Sequence, residues 1–336
     1  MTNMAETRYR GRRATSIENE TVRVTVLHEG GHIAEILDKQ SGVNPLWTPP
    51  WESIEPSTYD LGKHPEYGAD SESKLLGGIM GHNLCMDIFG PPSAEEAAAG
   101  LTVHGEASVA AYDIAATQTA LTQRARFPQS QLQLERQIRL AGGVVEVVEV
   151  VENESATDRP IAWTEHVTLG PPFLEKGVTQ FRAPVAQSLV LEEGNGDFQL
   201  YTDAPVSAGF TTHLMDPARD TAFFVAWSPR SQVALGYVWR RADFPWLGVW
   251  EENYSRMGAP WNGRTLTRGM EFGASPAAET RREMVERGSL FGVPAFRWIP
   301  ARGRAEVRYS AAIQGGLTSC PAELEYGPGG EVRFGY

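Results

Sequence analysis

The chain has 336 residues, 41% of them in the set AVILMFWYC and 21% charged, with a net charge of −12 at pH 7. This length suits two ordinary domains or one large all-β unit, with room for a substantial core in either case. The acidic balance, with no dense basic stripe beyond Arg8, Arg10, Arg12 and Arg13, excludes a nucleic-acid binder, which needs a positive footprint to displace counterions. No apolar run approaches the roughly 18 residues of a membrane span, and no apolar segment follows the N-terminal arginines as a secretory signal requires. A cytoplasmic protein with no nucleic-acid or membrane partner is expected. Cys85 and Cys320 stand alone, without metal-ligand or disulfide spacing.

Residues 1–16 read as a flexible tail and 17–336 as a single domain, because no linker, low-complexity block or repeat divides the chain. From Thr21 to Val26 apolar residues fall at every second position, the spacing of a strand. The next stretch, LHEGGHIAEI at 27–36, spells the H-E-x-x-H of zinc metalloproteases. That motif works on a helix, where residues four apart share a face and both imidazoles reach one metal. Gly30 and Gly31 would each cost a helix interior about 1 kcal/mol. After a strand they read instead as a two-residue hairpin turn, with Glu29 opposite His32 and His28 opposite Ile33. Neighbouring strand residues point to opposite faces, so the histidines part and no metal site is expected.

Further strands are expected at 105–115, in a hairpin of 132–140 and 144–151 around Gly142-Gly143, and at 161–169, 186–192, 221–227, 232–240, 265–272, 305–313 and 331–335. Helix signals are few. The best covers 275–288, with Ser275 as cap, Pro276 in the first turn and Gly288 as a left-handed stop; 93–99 forms a turn or two. Strands without interleaved helices imply an all-β fold, a large antiparallel β-sandwich with one or two short helices, and no phosphate-binding glycine loop argues otherwise.

Three histidines stand in contexts that suit chemistry: His82 in GGIMGHNLCMD, His104 in LTVHGEAS and His166 in IAWTEHVTLGPPFL. Alternation sets Ala162, Thr164, His166 and Thr168 on a polar-leaning face, opposite Ile161, Trp163, Glu165, Val167 and Leu169. His166 is either hydrogen-bonded inside the sandwich or functional. Glu271, flanked by Met270 and Phe272, is half-desolvated in this pattern, which lifts a carboxyl toward the range of a general base. The other reading is a strand-end ion pair with Arg264 or Arg268. Nine tryptophans include Trp47, Trp51, Trp246 and Trp261 beside loop-forming residues, where flat rings suit sugars or plain loop packing.

The order of these segments resembles the galactose mutarotase (aldose 1-epimerase) superfamily. ENETVRVTVLHEGGHIAEILDKQSGVNPLW is similar to its first hairpin, VHGE at 103–106 to its first histidine motif and TEHVTLGPPF to its second. DFPWLGVWEEN at 243–253 resembles the strand before the catalytic carboxylate, and RGMEFGASP the carboxylate strand; the likeness spans 17–313. The resemblance implies a galactose mutarotase-like sandwich, a free or modified sugar as substrate, isomerase activity, and no metal or organic cofactor. It implies that Glu271 takes the proton of the anomeric hydroxyl while His166 gives one to the ring oxygen, the two facing each other across the sugar. His104 would hold a hydroxyl or assist at the ring oxygen.

Two features depart from the family pattern. No arginine stands in the loop before the first histidine motif, where His82 and Asn83 are candidates to take over the contact, and Glu165 replaces the usual Asn before His166. Asp243 and Trp246 are candidates for hydroxyl contact and ring stacking, or simply a turn with a packed tryptophan. Two other functions suit the same fold: a carbohydrate-binding protein without catalysis, and a glycoside hydrolase or lyase needing a second carboxylate such as Glu251, Glu252 or Asp243.

Overall fold

The computed structural model of the protein describes residues 7–192, 198–199, 201–327 and 330–336, which build two antiparallel sheets around a shared core. The larger sheet runs Thr7–Tyr9, Arg12–Glu18, Val22–Leu27, Ile33–Asp38, His82–Asp87, Arg159–Leu169, Leu266–Gly273, Trp246–Asn253, Ser207–Met215 and Val185–Val190; Arg297–Ile299 pairs with the start of Arg159–Leu169. The smaller runs Gln180–Arg182, Thr221–Ser228, Val233–Arg240, Arg304–Gln314, Val144–Asn153, Leu132–Ala141, Ala120–Phe127 and Asp113–Ala116. Period-2 patterning drives this arrangement. In Leu132–Ala141 the residues Leu132, Leu134, Arg136 and Ile138 are buried between the sheets and the alternate positions are more exposed. Between the layers Trp239 stacks on Phe272 with ring centroids 4.3 Å apart, and Trp163 packs alongside in the same cluster.

Arg159–Leu169 and Leu266–Gly273 lie mid-sheet, and almost every residue of both is buried. Loops and a short helix cover the outer side of the larger sheet, so its outer face holds polar side chains away from bulk water. Among the described residues no helix is long and apolar enough to cross a membrane.

Several expectations need correction. The tail expected over 1–16 gives way at Thr7–Tyr9 and Arg12–Glu18, which pair with each other and with Val22–Leu27; residues 1–6 lie outside the described ones. The Arg12 side chain explains the anchoring: it is buried and bonded to Glu55, Ser53, Gly78 and Glu29. The glycine hairpin is wider than a two-residue turn. Leu27, not Glu29, opposes His32, and Val26, not His28, pairs with Ile33 after a bulge, while Glu29 bridges to Ala111. The two histidines do part: His28 bonds Thr15, and buried His32 bonds the Ser108 carbonyl. Residues 105–112 form a loop, and the strand there is only Asp113–Ala116. The helix expected over 275–288 begins at Arg281, because Thr280 and Glu283 form a reciprocal capping box that outcompetes Ser275.

Candidate active site

Strand register determines which side chains meet. His166 pairs with Asn83 on one side and Glu271 on the other, and Glu271 pairs in turn with Gly248. This cross-strand row runs over the outer face of the larger sheet. Directly opposed residues on one face approach closely, and His166 Nε2 lies 3.0 Å from Glu271 Oε1. The approach falls outside hydrogen-bond geometry, so Glu271 Oε1 is buried without a bonded partner. Gly269 makes room for the carboxylate: a Cβ there would stand 2.2 Å from Glu271 Oε1 and 3.2 Å from the Trp250 Cβ. The imidazole and the carboxylate therefore stand side by side, and do not face each other across a sugar-sized gap as the family resemblance implied.

Burial pushes the Glu271 carboxyl well above the carboxylate range and the His166 imidazole well below its usual value, with His104 adding to the latter. Both shifts disfavour charge, so burial favours a protonated Glu271 beside a neutral His166 over the ion pair. His166 Nδ1 lies 3.0 Å from Thr168 Oγ1, which fixes the ring plane.

The third histidine arrives from a loop. His104 has φ 68 and Gly105 φ 79, and this left-handed pair turns the chain so tightly that a Cβ on Gly105 would fall 2.1 Å from the Met86 carbonyl oxygen. The result sets the His104 ring centroid 5.0 Å from that of His166. His104 Nδ1 lies 2.6 Å from the Phe89 carbonyl oxygen, which can only accept. Nδ1 therefore carries the hydrogen, and Nε2 presents a lone pair. Burial lowers this imidazole to about 4, which keeps it neutral.

These three side chains line one cavity of about 680 Å3. Trp250 and Phe210 form its floor beside the pair, and Phe89 and the segment around the Arg281–Arg287 helix wall one end. The helix is tied down from outside by Asp87, which binds both Arg281 and Arg159 through paired contacts of 2.6–2.8 Å.

The structure does not bring the other candidate residues into the cavity. His82 points into the sandwich, with Nε2 2.8 Å from Glu165 and Nδ1 3.2 Å from Tyr237 OH. Glu165 points the same way, so its difference from the family pattern leaves the outer surroundings of His166 unchanged. Asn83 shares the outer face with His166, but it is fully buried and does not line the cavity. Asp243 is taken up by Arg240 at 2.7 and 2.9 Å, and the Trp246 indole donates to the Pro294 carbonyl beneath the hairpin that covers it. The carboxylates considered for hydrolase chemistry also point elsewhere: Glu251 lies 3.4 Å from Arg268, and Glu252 holds Ser255 and the Arg256 backbone.

Sequence reasoning missed Trp250, Arg256 and Glu72, all cavity-lining. Trp250 carried a signal, because alternation along WLGVWEEN puts it on the face of Gly248, the partner of Glu271. Arg256 and Glu72 sit in irregular segments, where no periodicity reports direction.

Solved structures define the class: this is a galactose mutarotase-like sandwich. A candidate aldose 1-epimerase from Klebsiella pneumoniae subsp. pneumoniae superposes with a TM-score of 0.69 at 16% identity, over 91% of this chain and 80% of that one. A galactose mutarotase-like protein from Clostridium acetobutylicum gives 0.62 at 11% identity, covering 93% and 98%. A galactose mutarotase related enzyme from Lactobacillus acidophilus gives 0.61 at 11% identity, covering 91% and 99%. At such identities the likeness shows the fold alone. Residues 9–289 match the domain family of unknown function DUF4432, and the chain belongs to that family. No functionally curated protein matches the sequence.

Proposed function

We propose that the protein is an aldose 1-epimerase-like isomerase that opens and recloses the ring of a free or modified sugar. The observation that carries this reading is the His166–Glu271 pair, 3.0 Å apart and lining a large cavity beside His104. Ring opening moves one proton from the anomeric oxygen O1 to the ring oxygen O5. Both oxygens are bonded to C1 and so lie close together, which suits an acid and a base set side by side. In the ion-paired form of the couple, carboxylate Glu271 takes the O1 proton and imidazolium His166 gives its Nε2 proton to O5; the C1–O5 bond breaks and the C1–O1 double bond forms. That transfer leaves Glu271 protonated and His166 neutral, the form that burial favours. Rotation about C1–C2 and the reverse transfer yield the other anomer, with no metal or organic cofactor in the scheme. His104 Nε2, as a lone-pair acceptor, holds a sugar hydroxyl and does not protonate O5.

The test is exchange spectroscopy between anomers for a panel of aldoses. The wild-type protein is expected to accelerate exchange for at least one sugar, and Glu271→Gln and His166→Ala to lose about 10²–10⁴-fold of that acceleration. No acceleration with any aldose would refute the proposal; calorimetric sugar binding without exchange would select a non-catalytic carbohydrate-binding role.

A further inference from the structure

Resting on the isomerase reading, the size and charge of the cavity restrict what enters it. A hexopyranose has about 12 non-hydrogen atoms; even at about 30 Å3 apiece, the share of a water in the liquid, it fills about 360 Å3. The cavity measures about 680 Å3, so one ring leaves nearly half of it vacant.

The spare space has a direction. Trp246–Asn253 and Leu266–Gly273 are antiparallel, with Gly248 opposite Glu271, so the chain leaves the site toward opposite ends. Beyond Glu271 the chain continues to Ala277 and the Arg281–Arg287 helix, and beyond Trp250 the other strand continues to Arg256. The pair thus sits mid-cavity. At the Arg256 end the guanidinium lies over two indoles, 4.7 Å from the Trp261 centroid and 5.5 Å from that of Trp250, and its Nη1 bonds Glu72 at 3.2 Å. A guanidinium held between two near-perpendicular indoles and bonded to a carboxyl is a positioned hydrogen-bonding surface for vicinal hydroxyls. The charge balance of the walls argues against an anion. Glu72, Glu192, Glu279, Glu283 and Glu286 line the cavity against two cations, Arg256 and Arg287, and Arg287 is paired with Glu279 at 2.8 Å.

We infer that the substrate is an uncharged reducing-end oligosaccharide, whose terminal ring opens over His166 and Glu271 while its second ring lies against Arg256 and Glu72. Contacts to the second ring are remote from the reacting bond, so they supply the affinity that orients the first.

Titration calorimetry and anomer exchange on one panel test this: glucose, galactose, maltose, cellobiose, lactose and glucose 6-phosphate. At least one disaccharide is expected to bind about tenfold more tightly than the monosaccharide at its reducing end, and the phosphate more weakly than glucose. Arg256→Ala and Glu72→Gln are expected to reduce that preference severalfold, acting mainly on KM. The inference is overturned if no disaccharide binds more tightly than its monosaccharide, if the phosphate binds best, or if both variants weaken mono- and disaccharides alike. Exchange with monosaccharides but no disaccharide preference sinks this inference alone. No exchange with any sugar sinks the isomerase reading, and calorimetry still decides the ligand class.

Discussion

Two buried histidine–glutamate pairs lie back to back on the strand Arg159–Leu169. Inside the sandwich His82 meets Glu165 at 2.8 Å, and on the outer face His166 meets Glu271 at 3.0 Å. The inner pair belongs to a bonded network. Tyr309 donates to Glu165 at 3.0 Å, Arg136 stands 3.5 Å from Glu165 and 2.5 Å from Glu149, and the Trp163 indole donates to Glu149 at 2.9 Å. Burial, with Arg136 adding to it, lowers His82 to about 3, so neutral His82 donates from Nε2 and accepts the Tyr237 hydroxyl at Nδ1. The outer pair has no arginine against it and opens into a cavity. Glu165 Oε1 and Glu271 Oε1 both lack a hydrogen bond, so the difference lies in the surroundings: the inner pair has an arginine against it inside the closed sandwich, and the outer pair faces a cavity with no such counter-charge.

The largest effect expected from breaking this symmetry is chemical. Glu271→Gln should cost about 10²–10⁴ in exchange rate while leaving the fold intact, whereas Glu165→Gln should lower stability with little change in turnover per folded molecule. Kinetics paired with urea unfolding separates the two. Next comes Arg136→Met, which strands Glu149 and Glu165 inside the sandwich and should cost about 3–5 kcal/mol in denaturant unfolding. Gly269→Ala tests the fit of the outer pair from behind: the new methyl meets Glu271 Oε1 and the Trp250 Cβ, so a loss of about 1–3 kcal/mol with a displaced carboxylate should appear in melting and in rate.

The smallest effect is a pH trend. Burial raises the folded Glu271 carboxyl above its ordinary 4.5, so its contribution is complete below that value and is lost as pH rises toward the folded one. The wild type should therefore lose stability relative to Glu271→Gln as pH rises above the ordinary carboxyl value of 4.5, as read from urea midpoints. Parallel curves would mean that the carboxyl titrates normally.

Much of the fold was legible because strand burial is written in period 2. The hairpin of Leu132–Ala141 and Val144–Asn153 follows from alternation alone, and alternation also puts His166 on the polar-leaning side of its strand without saying which way that side faces. Alternation also held the reason that His82 and Glu165 go inward, since each is one residue from an outward neighbour, but only pairing register shows that they meet. Loops resist such reading. Arg256, Glu72 and the turn at His104 depend on backbone conformations and contacts from distant segments, which no local pattern encodes. The strand His82–Asp87 escaped notice because it is buried on both faces and shows no alternation. The spacing between His166 and Glu271 was misjudged because family order says which strands bear the groups and nothing about register.

The central claim is that the outer pair, and not the inner one, moves the proton. Anomer exchange measured side by side for wild type, Glu271→Gln and Glu165→Gln, each normalised to folded protein, tests it most directly. The account predicts acceleration by the wild type and Glu165→Gln and almost none by Glu271→Gln; equal rates for the two variants, or an active Glu271→Gln, would contradict it.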